Sequence, residues 1–156
     1  MIYADHAATT KISETAKLAM LSAMEKDWYN PSSLYTPGQQ ASGTLMDARV
    51  RIAHCLGCLP KEIYFTSGGS EADNQAILSA AAIGKRQGKM HIISTAFEHH
   101  AVLHTLKKLE KEGFEITLLD VGEKGIVSPA QVEKAIRPDT ALVTVMYANN
   151  EIGTIQ

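Results

Sequence analysis

Three short segments carry residue types that could do chemistry. The first is Thr66-Ser67-Gly68-Gly69-Ser70-Glu71. Its two glycines let the backbone approach a ligand closely. A helix starting here would aim its free N–H groups and its dipole at an anion, and Ser70 could add a hydroxyl to a phosphate. The same residues also read as a plain glycine turn and a capped helix, with Asp73 as the third capping-box position. They form neither a G-x-G-x-x-G fingerprint nor a Walker loop, which weakens ordinary nucleotide folds.

The second segment is Glu98-His99-His100. A flat imidazole can stack on an aromatic cofactor or titrate near neutrality. His100 and His104 stand four apart, the helical spacing of a metal-binding pair. No third ligand is obvious by spacing, so a solvated helix face is the preferred reading for both. The third segment is Asn149-Asn150-Glu151-Ile152-Gly153. An asparagine amide can hold a carboxylate or a ring hydroxyl, or it can satisfy its own turn. Cys55 and Cys58 close an amphipathic helix beside Leu56 and Leu59, so buried, inert thiols are expected rather than a redox couple.

The elements that must position these segments follow from periodicity. Ser13 to Lys26 has helical spacing at Ala16, Ala19, Met20, Ala23 and Met24. Asn30-Pro31-Ser32-Ser33 breaks it, and Pro37-Gly38 marks a second turn. A helix is expected from about Gln39 to Leu56, ended by Gly57 and Pro60. After that the period alternates. Strands are expected at Ile63–Thr66, Met90–Ser94, Phe114–Leu119 and Ala141–Met146. Helices are expected from Ser70 to about Arg86, His99 to Glu112 and Pro129 to Ile136. This alternation predicts an α/β fold with a mostly parallel sheet flanked by helices. In such sheets ligands bind beyond the carboxyl ends of the strands, which puts all three segments on one rim.

Composition sets the outer limits. The chain has 156 residues, of which 45% are hydrophobic and 21% charged, an ordinary globular mixture. A net charge of −2 offers no basic footprint for nucleic acid. No apolar run reaches the roughly 18–20 residues that span a bilayer. No signal-peptide pattern opens the chain, and two cysteines fit a reducing cytoplasm. A parallel sheet ending soon after the last strand would leave a bare edge, so the expected folding unit is incomplete.

Together and in this order, the segments are more specific than any one alone. The chain resembles the cysteine desulfurases of the NifS/IscS type, in the class V aminotransferase family of pyridoxal phosphate (PLP) enzymes. The resemblance rests on Tyr3–Thr10, Asn30–Ser33, Phe65–Asn74, Glu98–Leu103 and Asn149–Gly153. It implies the N-terminal part of the large domain of the aspartate aminotransferase-like, fold type I transferases. Residues 1–60 would form an N-terminal segment and helices making dimer or small-domain contacts. Residues 61–156 would form the first part of the PLP-binding domain. By the same resemblance, Gly69 and Ser70 bind the PLP phosphate. His99 stacks on the pyridine ring and moves protons, and Asn150 lies near the ring hydroxyl and the substrate carboxylate. His6, Tyr29 and Tyr35 depart from the residues usual in that family.

The implied reaction converts L-cysteine to L-alanine and leaves the sulfur as a persulfide on an enzyme cysteine. The implied partners are a second copy or a complementary C-terminal half, and a sulfur-acceptor protein. The Schiff-base lysine, its acidic partner and the catalytic cysteine of the family all lie beyond the Asn149–Gly153 segment. None of the lysines here matches that lysine, and neither Cys55 nor Cys58 matches the sulfur-accepting cysteine. The chain alone is therefore expected to be inactive. The alternatives are a selenocysteine lyase, another class V enzyme, or a degenerate non-catalytic half-domain.

Overall fold

The computed structural model describes residues 2–156. The chain divides into two compact units, residues 1–65 and 66–156.

The first unit is helical. Helix α1 (Glu14–Lys26) starts where the Ser13 hydroxyl accepts the Ala16 N–H at 3.2 Å. Helix α2 (Thr36–Leu56) begins three residues before the expected Gln39. Pro37-Gly38 is its first turn rather than a loop. The ring of Pro37 suits a helix start, where its missing N–H costs nothing. Gly38 serves close approach, since a Cβ there would meet Ser33 Cβ at 2.6 Å and the Asn30 carbonyl at 2.8 Å. Gly57 ends α2 in the left-handed conformation, as its position predicts. A 3-10 turn follows at Pro60–Glu62.

Two expectations fail in this unit. Ile63–Thr66 does not form a strand. β-propensity needs a partner strand, and here the Ile63 carbonyl instead takes the Arg49 guanidinium. The cysteines are not buried: Cys55 is exposed and Cys58 half-buried. Only Gly38, Ala41 and Ala53 of α2 are buried, and Leu45, Ile52 and Leu56 on the stripe that ends at the cysteines stay exposed.

The second unit is the α/β layer. Helix α3 (Gly69–Arg86) leads to strand β1 (His91–Thr95). Helix α4 (His100–Lys111) then leads to β2 (Glu115–Leu119), and α5 (Pro129–Ala135) to β3 (Thr140–Val143). The three strands form one parallel sheet in the order β2-β1-β3. Every β1 residue is buried. The core joins Ile77 and Ala81 of α3 and Val102, Leu106 and Leu109 of α4 to Ile92 of β1 and Phe114. Helix α3 packs against α4 and β3, and α4 also against β2, each burying one apolar stripe in this core.

Buried His91 stitches the sheet together. Its Nδ1 lies 2.8 Å from the Thr140 hydroxyl on β3, and its Nε2 lies 2.9 Å from the Thr117 hydroxyl on β2. Burial, helped by the Arg137 charge, holds its pKa below the usual imidazole range. The folded chain thus keeps His91 neutral, while an unfolded chain protonates it near pH 6.5. This contribution to stability is complete above that pH and is lost as pH falls toward the lowered folded value. Subtracting the urea stability of His91→Asn from wild type between pH 8 and 5 should leave a difference that shrinks with acid. A pH-independent difference would refute the assignment. Gly84 of α3 sits against Ala141 Cβ, with no room for a side chain. Gly84→Val should therefore cost about 1–3 kcal/mol in urea unfolding through overpacking.

Candidate functional site

The site is built on the segments that leave the carboxyl ends of β1 and β3 and on the first turn of α3. Helix α3 opens at Gly69, after Gly68. Ser70 does not cap it, and Asp73 is not part of a capping box. Glu71 takes that place and reaches back to accept the Ser67 N–H at 2.6 Å and the Ser67 hydroxyl at 2.7 Å. Those bonds, led by the hydroxyl, hold the Glu71 carboxyl below its ordinary range. The first helical N–H to find a carbonyl is that of Ala72, on Gly68. The N–H groups of Gly69, Ser70 and Glu71 have no acceptor among the described residues. A Cβ at Gly68 or Gly69 would meet nothing within 4 Å. The turn is an open cradle of donors at a positive helix end.

His99 is the N-cap of α4. Its Nδ1 accepts the Ala101 N–H at 3.1 Å. The neutral ring therefore carries its proton on Nε2. The exposed ring lines two cavities. One, of about 320 Å³, is shared with Phe97, Glu98, Asn149 and Asn150. The other, of about 290 Å³, is shared with Asp73, Thr144 and Met146. Asn150 is exposed, and its amide bonds no described residue. His99 and Asn150 thus face one cavity. Gly69 and Ser70 line neither cavity, but they are tied to the same rim through Asn74.

Asn74 is a residue whose role the sequence reading missed. Its Nδ2 donates to the Ser70 carbonyl at 2.7 Å and lies 3.5 Å from the Ala101 carbonyl. Its Oδ1 accepts the hydroxyl of buried Thr105 at 2.6 Å. Asn74 therefore links the cradle on α3 to the first two turns of α4. No signal short of helix-to-helix packing could have revealed this.

Asn149 and Asn150 divide two roles that the sequence leaves open. Asn149 is buried. Its Nδ2 donates to the Phe97 carbonyl at 3.0 Å, and its Oδ1 accepts the N–H groups of Glu151 and Ile152 at 2.8 and 3.0 Å. It satisfies its own turn and leaves Asn150 free. Glu98, also buried, accepts the Met146 N–H at 2.6 Å and the Thr95 hydroxyl at 3.0 Å on one oxygen. Burial pushes its carboxyl above the ordinary range, against the pull of both bonds. His100 and His104 stack on the exposed face of α4, 5.4 Å apart. Among the described residues no group of three or more His, Cys, Asp or Glu side chains is placed to hold a metal.

Residues 2–156 match the family described as aminotransferase class-V. The chain belongs to that family. It is 48% identical over 155 residues to the cysteine desulfurase IscS of Methanosarcina thermophila, covering 99% of this chain and 38% of that protein. Among solved structures it superposes on a NifS-like protein with a TM-score of 0.92 at 37% identity, covering 97% of this chain and 42% of the other. A structure of SspA in complex with cysteine gives 0.91 at 39% identity, with 99% and 44% covered. The class V chain therefore spans about two-fifths of the length of these relatives. Its α/β architecture is theirs, and the NifS/IscS resemblance extends along the whole chain.

The paired asparagines give a direct check. Asn149→Ala should cost about 1–3 kcal/mol in urea unfolding, because buried partners lose their bonds. Asn150→Ala should stay within about 0.5 kcal/mol of wild type. Equal losses would overturn the division of roles.

Proposed function

We propose that this chain is the N-terminal portion of a PLP-dependent cysteine desulfurase, supplying the phosphate cradle, the ring-stacking histidine and an orienting amide. The reading is carried by one rim that holds three groups the fold leaves unspent. They are the N–H groups of Gly69 and Ser70, the open ring of His99 and the amide of Asn150. It is supported by relatives named cysteine desulfurase and by a similar protein solved in complex with cysteine. The complete enzyme would convert L-cysteine to L-alanine and pass the sulfur to an enzyme cysteine as a persulfide. Iron–sulfur cluster assembly, or another sulfur-transfer route, would consume it.

The residues present fit the cofactor. An anion suits three unpaired N–H groups at a helix start, and the glycines leave space for it. Ser70 adds a hydroxyl donor. When bound, PLP supplies an electron sink for bonds broken at the substrate carbons. His99 presents a flat ring and one donor, Nε2–H. To move a proton as a base, it would have to give up its cap on Ala101, because Nδ1 is already an acceptor. Asn150 offers an amide to the ring hydroxyl or to a substrate carboxylate. By the family resemblance the anchoring lysine lies beyond the Asn149–Gly153 segment, and on that reading the chain alone is inactive. The reading implies a cytoplasmic enzyme working as a homodimer or with a complementary C-terminal half, and a sulfur-acceptor protein. Among the described residues no helix is long and apolar enough to cross a membrane.

Titration with pyridoxine 5′-phosphate, which lacks the aldehyde, tests the cradle. The amide resonances of Gly69 and Ser70 and the ring resonances of His99 should move, while pyridoxine without phosphate should leave Gly69 and Ser70 still. Ser70→Asp, placing a carboxylate among the donors, should weaken binding by about tenfold or more, or 1.4 kcal/mol. No response in wild type would sink the reading. The chain with PLP and L-cysteine should form no alanine, and alanine formation would disprove its inactivity.

A further inference from the structure

Two crossed bonds join the turn after β1 to the loop after β3. From the first segment, Glu98 reaches the backbone of the second at the Met146 N–H, 2.6 Å away. From the second, Asn149 reaches the backbone of the first at the Phe97 carbonyl, 3.0 Å away. Each of these side chains immediately precedes one with a polar group left free: Glu98 precedes His99, whose Nε2 is free while its Nδ1 caps α4, and Asn149 precedes Asn150. Glu98 is 7% exposed and Asn149 8%, so their polar atoms are spent inside the protein. Glu98 also forms part of the wall of both cavities that His99 lines. The Thr95 hydroxyl, from the last residue of β1, anchors the same carboxylate oxygen to the end of the sheet.

A buried carboxylate is a costly tie, and among the described residues no cation acts on it to offset the cost: Asp73, the charged neighbour acting on it, is itself acidic. What it provides is reach and two acceptor bonds on one oxygen. That fastens both loops to the rigid strand end. We propose that Glu98 is a positioning residue, setting with Asn149 the separation of His99 from Asn150 and so the fit of a flat, ring-bearing ligand between them. This inference rests on the reading of the rim as a PLP cradle.

The test compares two ligands that read different parts of the rim. Inorganic phosphate reads only the first turn of α3, whereas pyridoxine 5′-phosphate reads the ring slot as well. Wild type should favour the ring-bearing ligand. In Glu98→Ala that preference should collapse by about tenfold while phosphate affinity holds within about twofold. Glu98→Gln keeps an acceptor oxygen at the same reach and should retain the preference within about threefold. Should the alanine variant fail to fold, Glu98→Asp, one methylene shorter, carries the same expectation. An intact ring preference in either shortened variant overturns the proposal, as does its loss in Glu98→Gln. If wild type binds neither ligand, the cradle reading fails separately. The latch is then read from the His99 ring and Asn150 amide resonances, which should shift in Glu98→Ala while those of His91 stay. Unmoved His99 and Asn150 resonances overturn it.

Discussion

Pairing β1 on both sides with parallel neighbours constrains everything else in the α/β unit. Parallel strands cannot be joined by hairpins, so α4 and α5 must cross over. The central strand must then be buried along its whole length, and it is. His91 meets that demand at one end by giving both ring nitrogens to the flanking strands. Thr95 meets it at the other end by binding Glu98. The site loops hang from this second end, so their positions derive from the sheet and not from their own turn chemistry.

Polar groups on the rim fall into two sets. Asn74, Thr105, Glu98 and Asn149 are buried or partly buried and are committed to partners within the protein. The Ser70 hydroxyl, His99 Nε2 and the Asn150 amide are not. Committed and free residues alternate within three or four positions of each other. This follows from physical necessity: a loop that offers unpaired donors to a ligand must be held by neighbours whose own bonds are complete.

Much of the fold was legible because helix and strand periodicities differ sharply. The Ala-rich α3, the amphipathic α4 and three of the four expected strands lie within two or three residues of their predicted bounds. Errors came where local propensity was overruled. Ile63–Thr66 has β-prone residues and no partner strand. Pro37-Gly38 looks like a turn but starts a helix, because a proline ring is tolerated in the first helical turn. The C-x-x-C pair ends the apolar face of an amphipathic helix, yet burial requires something to pack against that face.

The sequence by itself determined the period of the elements, the parallel character of the sheet, the family and the rim that carries Gly69, Ser70, His99 and Asn150. Those features are local, or follow from strand-to-helix order, except that no strand precedes Gly69 and Ser70, which are tied to the rim through Asn74. Only the tertiary structure decided which of two adjacent asparagines is spent, which nitrogen of His99 is free, that Glu71 rather than Asp73 closes the turn, and that Glu98 reaches Met146. His99 and Glu71 bond backbone only two and four residues away, as the geometry of each helix start allows, whereas Asn149 and Glu98 depend on which backbone group 52 or 48 residues along the chain comes within 3 Å. Residue type and spacing carry no record of that distance.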